Sequence, residues 1–508
     1  MREGLHEAGK PAWVLMLTSK DLNMKKILYG FIILFVFSVS SCEDFLNEQP
    51  ISQLSAGNYW KTEQDIITAM AGTYDGLQDI VDDNLINWGE GRSDNLVRGG
   101  TGETQYAFTY NAMTADMGAT DWTGLYAVIL RANQIIKYVP QIEGDLTESE
   151  KNHYLAQAYG IRAYCHLLGV KVWGDFPLIQ EVIEDKDAKP ARTPVSQVLD
   201  AVVADLITAR ELVNEDVAHL FEVDLGGILA ILTDAYMWKH EYQKVIETTD
   251  ELLATGRYAL EKDSADWKKI FTDPGSLTLP SEPIWSLYRD VEFDPGSGIA
   301  DYLGSSDHTS SFVMDPNVLA RWEQQGDREF RESLTYDTLD AEQEGAVSFI
   351  WKYYPLDEST KDPGASLPKG DEAEIQNPMY RLADILLLRA EAYNQLDNKP
   401  DAVALLNAIR TRAGLYPITV DNFSTREELE MAILDERQFE LFGEGKRWFD
   451  LRRTGLVKTV MEPVLKQRQA QAGLTVVGFG DEGLVLFPVN RDVLNANPSL
   501  VQNPPYTR

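Results

Sequence analysis

Two cysteines in 508 residues leave no material for a disulfide framework or a cysteine zinc cluster, and six histidines give a hydrolytic triad little to draw on. Positive charge is also short: 46 Lys and Arg stand against 80 Asp and Glu, a formal charge of −34. Binding phosphates needs a basic surface, so nucleic acid is excluded as a partner, and so is lying flat on an anionic leaflet by electrostatics. The plain reading of the acidity is a solubilising surface. There is no P-loop, no G-x-S-x-G nucleophile elbow and no H-E-x-x-H zinc motif. Gly478-Phe479-Gly480-Asp481-Glu482-Gly483 matches G-x-G-x-x-G, but two carboxylates inside it would repel a phosphate. The strand-like Leu484 to Pro488 also follows where a helix should begin, so the segment is expected to be a turn between strands.

The apolar run Ile27 to Val39, broken by Gly30 and Ser38, is too short to span a bilayer. Lysines open it at Lys25-Lys26, and Ser40-Ser41-Cys42 closes it, which is the anatomy of a lipoprotein signal. Cleavage before Cys42 would leave an N-terminal cysteine carrying acyl chains, anchoring the protein without a spanning helix. Met24 is then the expected start, 1–23 a non-native extension and 24–41 the signal peptide. Five basic and three acidic residues precede Cys42, so the mature chain would carry about −36. With Cys42 acylated, Cys165 has no intrachain partner and reads as a buried structural thiol.

What remains is rich in helical periodicity that comes in pairs. Leu382, Ile385, Leu386, Ala390 and Tyr393 share a face, Asp397 to Pro400 break the run, and Ala402, Leu405, Leu406, Ile409 and Ala413 form a second face stopped by Gly414. A second pair covers Ile228 to Ala235 and Val245 to Leu253, with a break near His240-Glu241 and a stop at Gly256. A third, more widely spaced, joins Ile161 to Leu168 with Val198 to Val213. Runs around 69–80 and 126–139 extend the series. The expected fold is mainly α: tetratricopeptide-like hairpins forming a scaffold over 42–257 and the end of 258–508.

Between 258 and 377 the periodicity fades, Gly, Pro and Asp rise, and short strand-like runs such as Ile284 to Tyr288 are set among dense aromatics. Irregular segments carried by a rigid scaffold are where binding sites tend to lie, although many of these rings must form the core of the loops themselves. Asp290, Glu292, Asp294 and Asp301 match the first, third, fifth and twelfth positions of a calcium loop, with Pro295 where glycine should make the turn. Further on, Arg437, Glu440, Glu444 and Arg447 recur at three- and four-residue steps, the spacing of a charge ladder along one helix face, structural rather than catalytic.

Four stretches resemble one family: Asn58-Tyr59-Trp60-Lys61-Thr62-Glu63 leading to Ala71 through Leu77; Ile161-Arg162-Ala163-Tyr164 through Trp173-Gly174-Asp175-Phe176-Pro177; Asp435-Glu436-Arg437 through Gly443-Glu444-Gly445-Lys446-Arg447-Trp448-Phe449-Asp450-Leu451-Arg452-Arg453; and the ending Asn497 to Tyr506. Together they resemble the SusD/RagB outer-membrane lipoproteins, with small departures at Asn490 and Pro505. The resemblance implies a non-enzymatic surface protein that captures glycans, or less often peptides, for a SusC-like TonB-dependent transporter barrel, with no cofactor. Glu43-Asp44 resembles the export signal that sends such lipoproteins to the outer face. By the same resemblance the loop after the first helix, Trp88 to Asn95, belongs to the binding surface: Trp88 as a stacking platform, Arg92 and Asn95 as hydroxyl donors, with Tyr288 and Trp322 added from the aromatic segment. A surface glycoside hydrolase, whose carboxylate pair this acidic chain would hide, and a protein-binding scaffold are the other readings.

Overall fold

The three helical pairs form where the spacing puts them. The computed structural model describes residues 59–507 apart from 145, 186, 290–291, 293–296, 305–309, 327, 338–346, 348 and 355–374. Cys42, Asp290, Asp294 and His308 therefore lie outside the described residues. The chain divides into two units, Met1–Lys61 and Thr62–Arg508, and the helices and strands named here all belong to the second.

Helix α1 (Glu63–Gly89) starts at a capping box between Thr62 and Asp65, and α2 (Glu103–Thr109) is short. The scaffold continues through α3 (Thr123–Tyr138), α4 (Glu148–Trp173), α5 (Val195–Leu212), α6 (Leu225–Trp238) and α7 (Tyr242–Ala254). It resumes after the irregular segment with α11 (Leu382–Gln395), α12 (Lys399–Arg412) and α13 (Arg426–Glu440). Helix α1 packs on α3, from α3 onward each scaffold helix packs on the next, and α7 packs directly on α11, so the scaffold closes across the segment between them. The change of character at 257/258 thus lies inside one unit. Leu386, Leu387, Leu406, Ile409 and Ile433 form the core where α11, α12 and α13 meet. From Gly160 to Trp173 helix α4 is buried on every side, including Cys165, whose thiol burial pushes up, and His166, pulled down to about 4 by burial.

Short elements decorate the scaffold. Strand β1 (Leu96–Arg98) pairs antiparallel with β3 (Phe312–Met314), and β2 (Pro283–Leu287) with β4 (Asn377–Arg381). Between them lie α8 (Ser264–Thr272), α9 (Gly298–Leu303) and α10 (Pro316–Glu323). Most of the dense aromatics are interior: Trp267, Trp285, Trp351, Tyr353 and Tyr354 are all buried. Lys268 of α8 gathers the backbone carbonyls of Leu334, Trp351 and Lys352, fastening the irregular segment to the scaffold.

Two expectations are corrected. Leu484 to Pro488 is not a strand: Glu482–Val485 make one 3-10 turn, and Phe487 N donates to Val172 O at 3.1 Å. The charged motif is not a ladder either. Helix α13 ends at Glu440, the chain reverses through Gly443 and Gly445 at φ of 77° and 68°, and α14 (Arg447–Arg453) begins afresh. Its charges reach across the molecule. Arg381 of β4 meets Glu282 at 2.6 Å, Glu440 at 2.6 Å and Glu444 at 2.7 Å; Arg412 reaches Glu282 at 3.0 Å and also Glu440; Arg331 pairs with Glu436 at 2.6 Å and Lys352 with Glu444 at 2.6 Å. All of these side chains are buried. Burial by itself would raise the Glu440 carboxyl, but Arg412, Arg381 and Arg331 hold it well below the usual carboxylate range.

The same motif seats the loop after α1. Gly89 packs so closely that a Cβ on it would stand 1.8 Å from Gly445 O, Asp94 takes both Nε and Nη2 of Arg447 at 2.8 and 2.9 Å, and Glu90 Oε1 accepts from Gly443 N at 3.0 Å. Glu90 Oε2 has no partner among the described residues, and burial raises this carboxyl from 4.5 to about 7.

These groups lend themselves to direct tests. Arg381→Ala removes the cation that three buried carboxylates share and is expected to cost at least about 3 kcal/mol in urea unfolding, or to prevent folding. Arg491→Ala, which breaks an exposed pair with Asp116, should leave the unfolding midpoint unchanged. Glu90 loses its proton near pH 4.5 when unfolded and near 7 when folded, so its cost to stability grows over that interval and is complete above 7, about 3 kcal/mol for a shift of this size. Urea midpoints of Glu90→Gln between pH 4 and 8 should lack that decline; an unchanged pH profile would assign it elsewhere.

Candidate functional site

The structure buries four of the five residues expected to hold ligand. Trp88 sits at 1% exposure, donates Nε1–H to Ala119 O at 2.7 Å and stands edge to face against Trp173 at 5.3 Å. Arg92 lies over the Trp448 ring at 4.2 Å, donates to Asn111 Oδ1 and to the carbonyls of Leu484 and Val485, and is lowered to about 10 by burial. Asn95 is fully buried, bonded to Glu90 and Gln438. Trp322 is enclosed by Tyr336, Phe439 and Phe442, each 5.3 to 5.4 Å away. A sugar cannot stack on a face it cannot reach, so these four are corrected to packing residues. Tyr288 alone is reachable, 44% exposed and resting edge to face on Phe221. Of the calcium set, Glu292 and Asp301 are described and both are exposed; no group of three or more metal-ligating side chains gathers among the described residues.

A few residues beyond the expected loop, the chain builds a cleft of about 460 Å³. The end of β1, the end of α2, the start of α10 and the last turn of α15 (Val457–Gln471) form its walls. Tyr110, which caps the end of α2 and lines the cleft, stands four residues after Tyr106 of that helix, with ring centroids 4.7 Å apart. The Arg98 guanidinium lies 5.6 Å over the Tyr106 ring and donates Nε–H to Gly100 O, while Arg98 N donates to buried Thr109 Oγ1 at 2.9 Å. Asn317 and Gln467 exchange amide hydrogen bonds at 3.2 and 3.3 Å across the opposite wall.

Buried charge holds the floor in place. Asp315 caps α10, its Oδ1 accepting from Asn317 N and Nδ2 at 2.8 and 2.9 Å, while Oδ2 accepts from Arg468 Nε and Nη2 at 3.0 and 2.7 Å. Arg468 Nη2 also donates to Ser93 O and Leu96 O, which fixes the loop against α15. The cleft therefore offers the half-buried Tyr110 ring beside planar polar groups on a rigid floor, with the exposed Tyr106 ring next to it. Both Asp315 oxygens are engaged, so it is a poor general base. Sequence reasoning stopped one turn too early: Tyr106 and Tyr110 at i, i+4 after the Gly99-Gly100 pair were the available signal.

Other concavities differ in character. A groove of about 390 Å³ between α3 and the C-terminal segment is lined mainly by apolar side chains, among them Tyr126, Leu130, Ile183 and Leu500.

Comparison with known proteins agrees with this architecture. The family model described as "SusD family" matches residues 319–506, and one described as "Starch-binding associating with outer membrane" matches 44–224. SusD-like protein P38 of Formosa agariphila is 29% identical over 95% of this chain and 100% of its own length, and a SusD-like protein of Bacteroides ovatus is 23% identical over 81% of this chain and 79% of its own. Among solved structures, a SusD superfamily protein of Bacteroides vulgatus superposes with a TM-score of 0.74 at 19% identity, covering 88% of this chain and 99% of that one. B. fragilis NanU does so at 0.71 and 22% identity, covering 91% and 100%. With both ends matched by models of one family and the helical scaffold shared, the chain belongs to the SusD/RagB family.

Proposed function

We propose that this protein is a cell-surface glycan-binding lipoprotein that captures oligo- or polysaccharide in the Arg98–Tyr110–Asn317 cleft and delivers it to a TonB-dependent outer-membrane transporter. The observation that carries the binding step is the Tyr106–Tyr110 face beside Arg98 and the Asn317–Gln467 amides. A sugar has an apolar CH face that packs on a flat ring and hydroxyls that both donate to and accept from amide and guanidinium groups. Family membership supports the delivery role, and Cys42 supplies the anchor that keeps such a protein at the outer membrane. Tyr288 is a second ring that a long polymer could touch outside the cleft.

Affinity electrophoresis against a panel of polysaccharides, followed by calorimetry with the matching oligosaccharide, tests the site. Tyr110→Ala and Asn317→Ala should each weaken binding about tenfold, close to 1.4 kcal/mol, with unfolding unchanged. Tyr416→Ala, which removes an isolated ring at 90% exposure, should have no effect. Retained affinity in both cleft variants would move the site; peptide capture without glycan capture would favour the peptide-binding alternative; cleavage of the oligosaccharide would favour a hydrolase.

The anchor has its own test. Mass spectrometry of protein expressed in its native host should find acyl chains on Cys42, and Cys42→Ala should release the protein from the membrane fraction. An unmodified N-terminus would contradict the tether.

A further inference from the structure

The cleft departs from the rest of the molecule in the sign of its charge. The chain carries −34, a field that disfavours anionic ligands over most of its surface. The charged side chains lining the cleft are Arg98, Asp315 and Arg468. Asp315 is committed to Arg468 through Nε and Nη2, and that pair cancels. Arg98 is left as an uncompensated cation at the wall.

Both arginines also keep donors to spare. Arg468 is buried, with its side chain 5% exposed, and its Nε and Nη2 are taken by Asp315, Ser93 and Leu96. Its Nη1 has no acceptor among the described residues. A buried guanidinium N–H without a partner is costly, the more so because the group is always charged. Arg98 spends its Nε–H on Gly100 O and lies over Tyr106, which holds the guanidinium in one place. Its two terminal nitrogens have no acceptor among the described residues. Two positioned guanidinium groups with open donors suit oxygens that carry charge, because charge-assisted bonds are roughly twice as strong as neutral ones. A neutral sugar hydroxyl would fill the same positions with a weaker acceptor.

We propose that the cleft selects saccharides bearing an anionic group, a ring carboxylate or a sulfate ester, which it seats between Arg98 and the Arg468 end of the floor. The inference rests on the glycan-binding reading and narrows its substrate class. The adjacent Tyr106 and Tyr110 faces pack the uncharged part of the same or a neighbouring ring, so recognition needs both the ring and its charge.

The test is calorimetry of the full mature protein with three probes of equal length: an oligogalacturonate, a sulfated galactan oligosaccharide and an unsulfated galactan oligosaccharide. At least one acidic probe should bind ten times or more tighter than the neutral one in 20 mM salt, and its advantage should shrink in 0.5 M salt as screening sets in. Which acidic probe wins distinguishes carboxylate from sulfate. Arg98→Gln, at a partly exposed position, should fold normally and lose the advantage. Arg468→Lys, which keeps the charge but loses the fork, should weaken acidic binding if thermal unfolding shows the variant folded. Tighter or equal binding of the neutral probe overturns the charge selection while leaving the glycan reading intact. Acidic binding indifferent to both salt and Arg98→Gln overturns it as well. Failure of all three probes and of the wider polysaccharide panel would remove the glycan reading itself.

Discussion

The charge cluster around Arg381 has no access to water, and most of the fold depends on its being complete. Each buried ion costs several kcal/mol in lost hydration, recovered only when every partner is in position. Those partners come from four separate places: Glu282 before β2, Arg331 and Lys352 in the irregular segment, Arg412 at the end of α12, and Glu440 and Glu444 in and after α13. The cluster therefore acts as a register check. Apolar packing would hold the helices together with or without it, but a misplaced insert or a slipped strand would leave a bare charge inside.

From that hub the order spreads to the cleft. The turn through Gly443 and Gly445 lets the backbone touch Gly89, and Arg447 then clamps Asp94. The loop so fixed runs into β1, whose pairing with β3 brings Asp315 and α10 alongside. Arg468 closes the circuit by bonding Asp315 and two loop carbonyls at once. The residues that read as a binding loop are thus its foundation. The groups proposed to meet a ligand stand just beyond it, on β1 and at the end of α2.

The scaffold was legible in the sequence because its signals are local. Leu382 to Tyr393 and Ala402 to Ala413 keep their faces within a few turns, and Asp397 to Pro400 and Gly414 end each helix by their own backbone preferences. The charged motif misled for a related reason. Its three- and four-residue spacing is that of a helix ladder, but two glycines with positive φ sit inside it and send Glu444 and Arg447 to different partners. The same limit applied to the rings: Trp88 and Tyr110 are both aromatics near the end of a helix, and nothing in their neighbours along the chain says which will be covered.

By itself, then, the sequence determined the mainly helical class, the paired hairpins and the acidic surface, which follow from composition and short-range pattern, while four motif stretches carried the resemblance to the family. Only the tertiary structure decided which residues are buried and which line an open cleft. Arg468 and Asp315 are 153 positions apart and become the floor of one cleft; Trp322 and Phe439 are remote in the chain and bury each other's faces. Burial is a property of which elements meet. That meeting is governed here by a set of buried charges whose pairing no local pattern encodes.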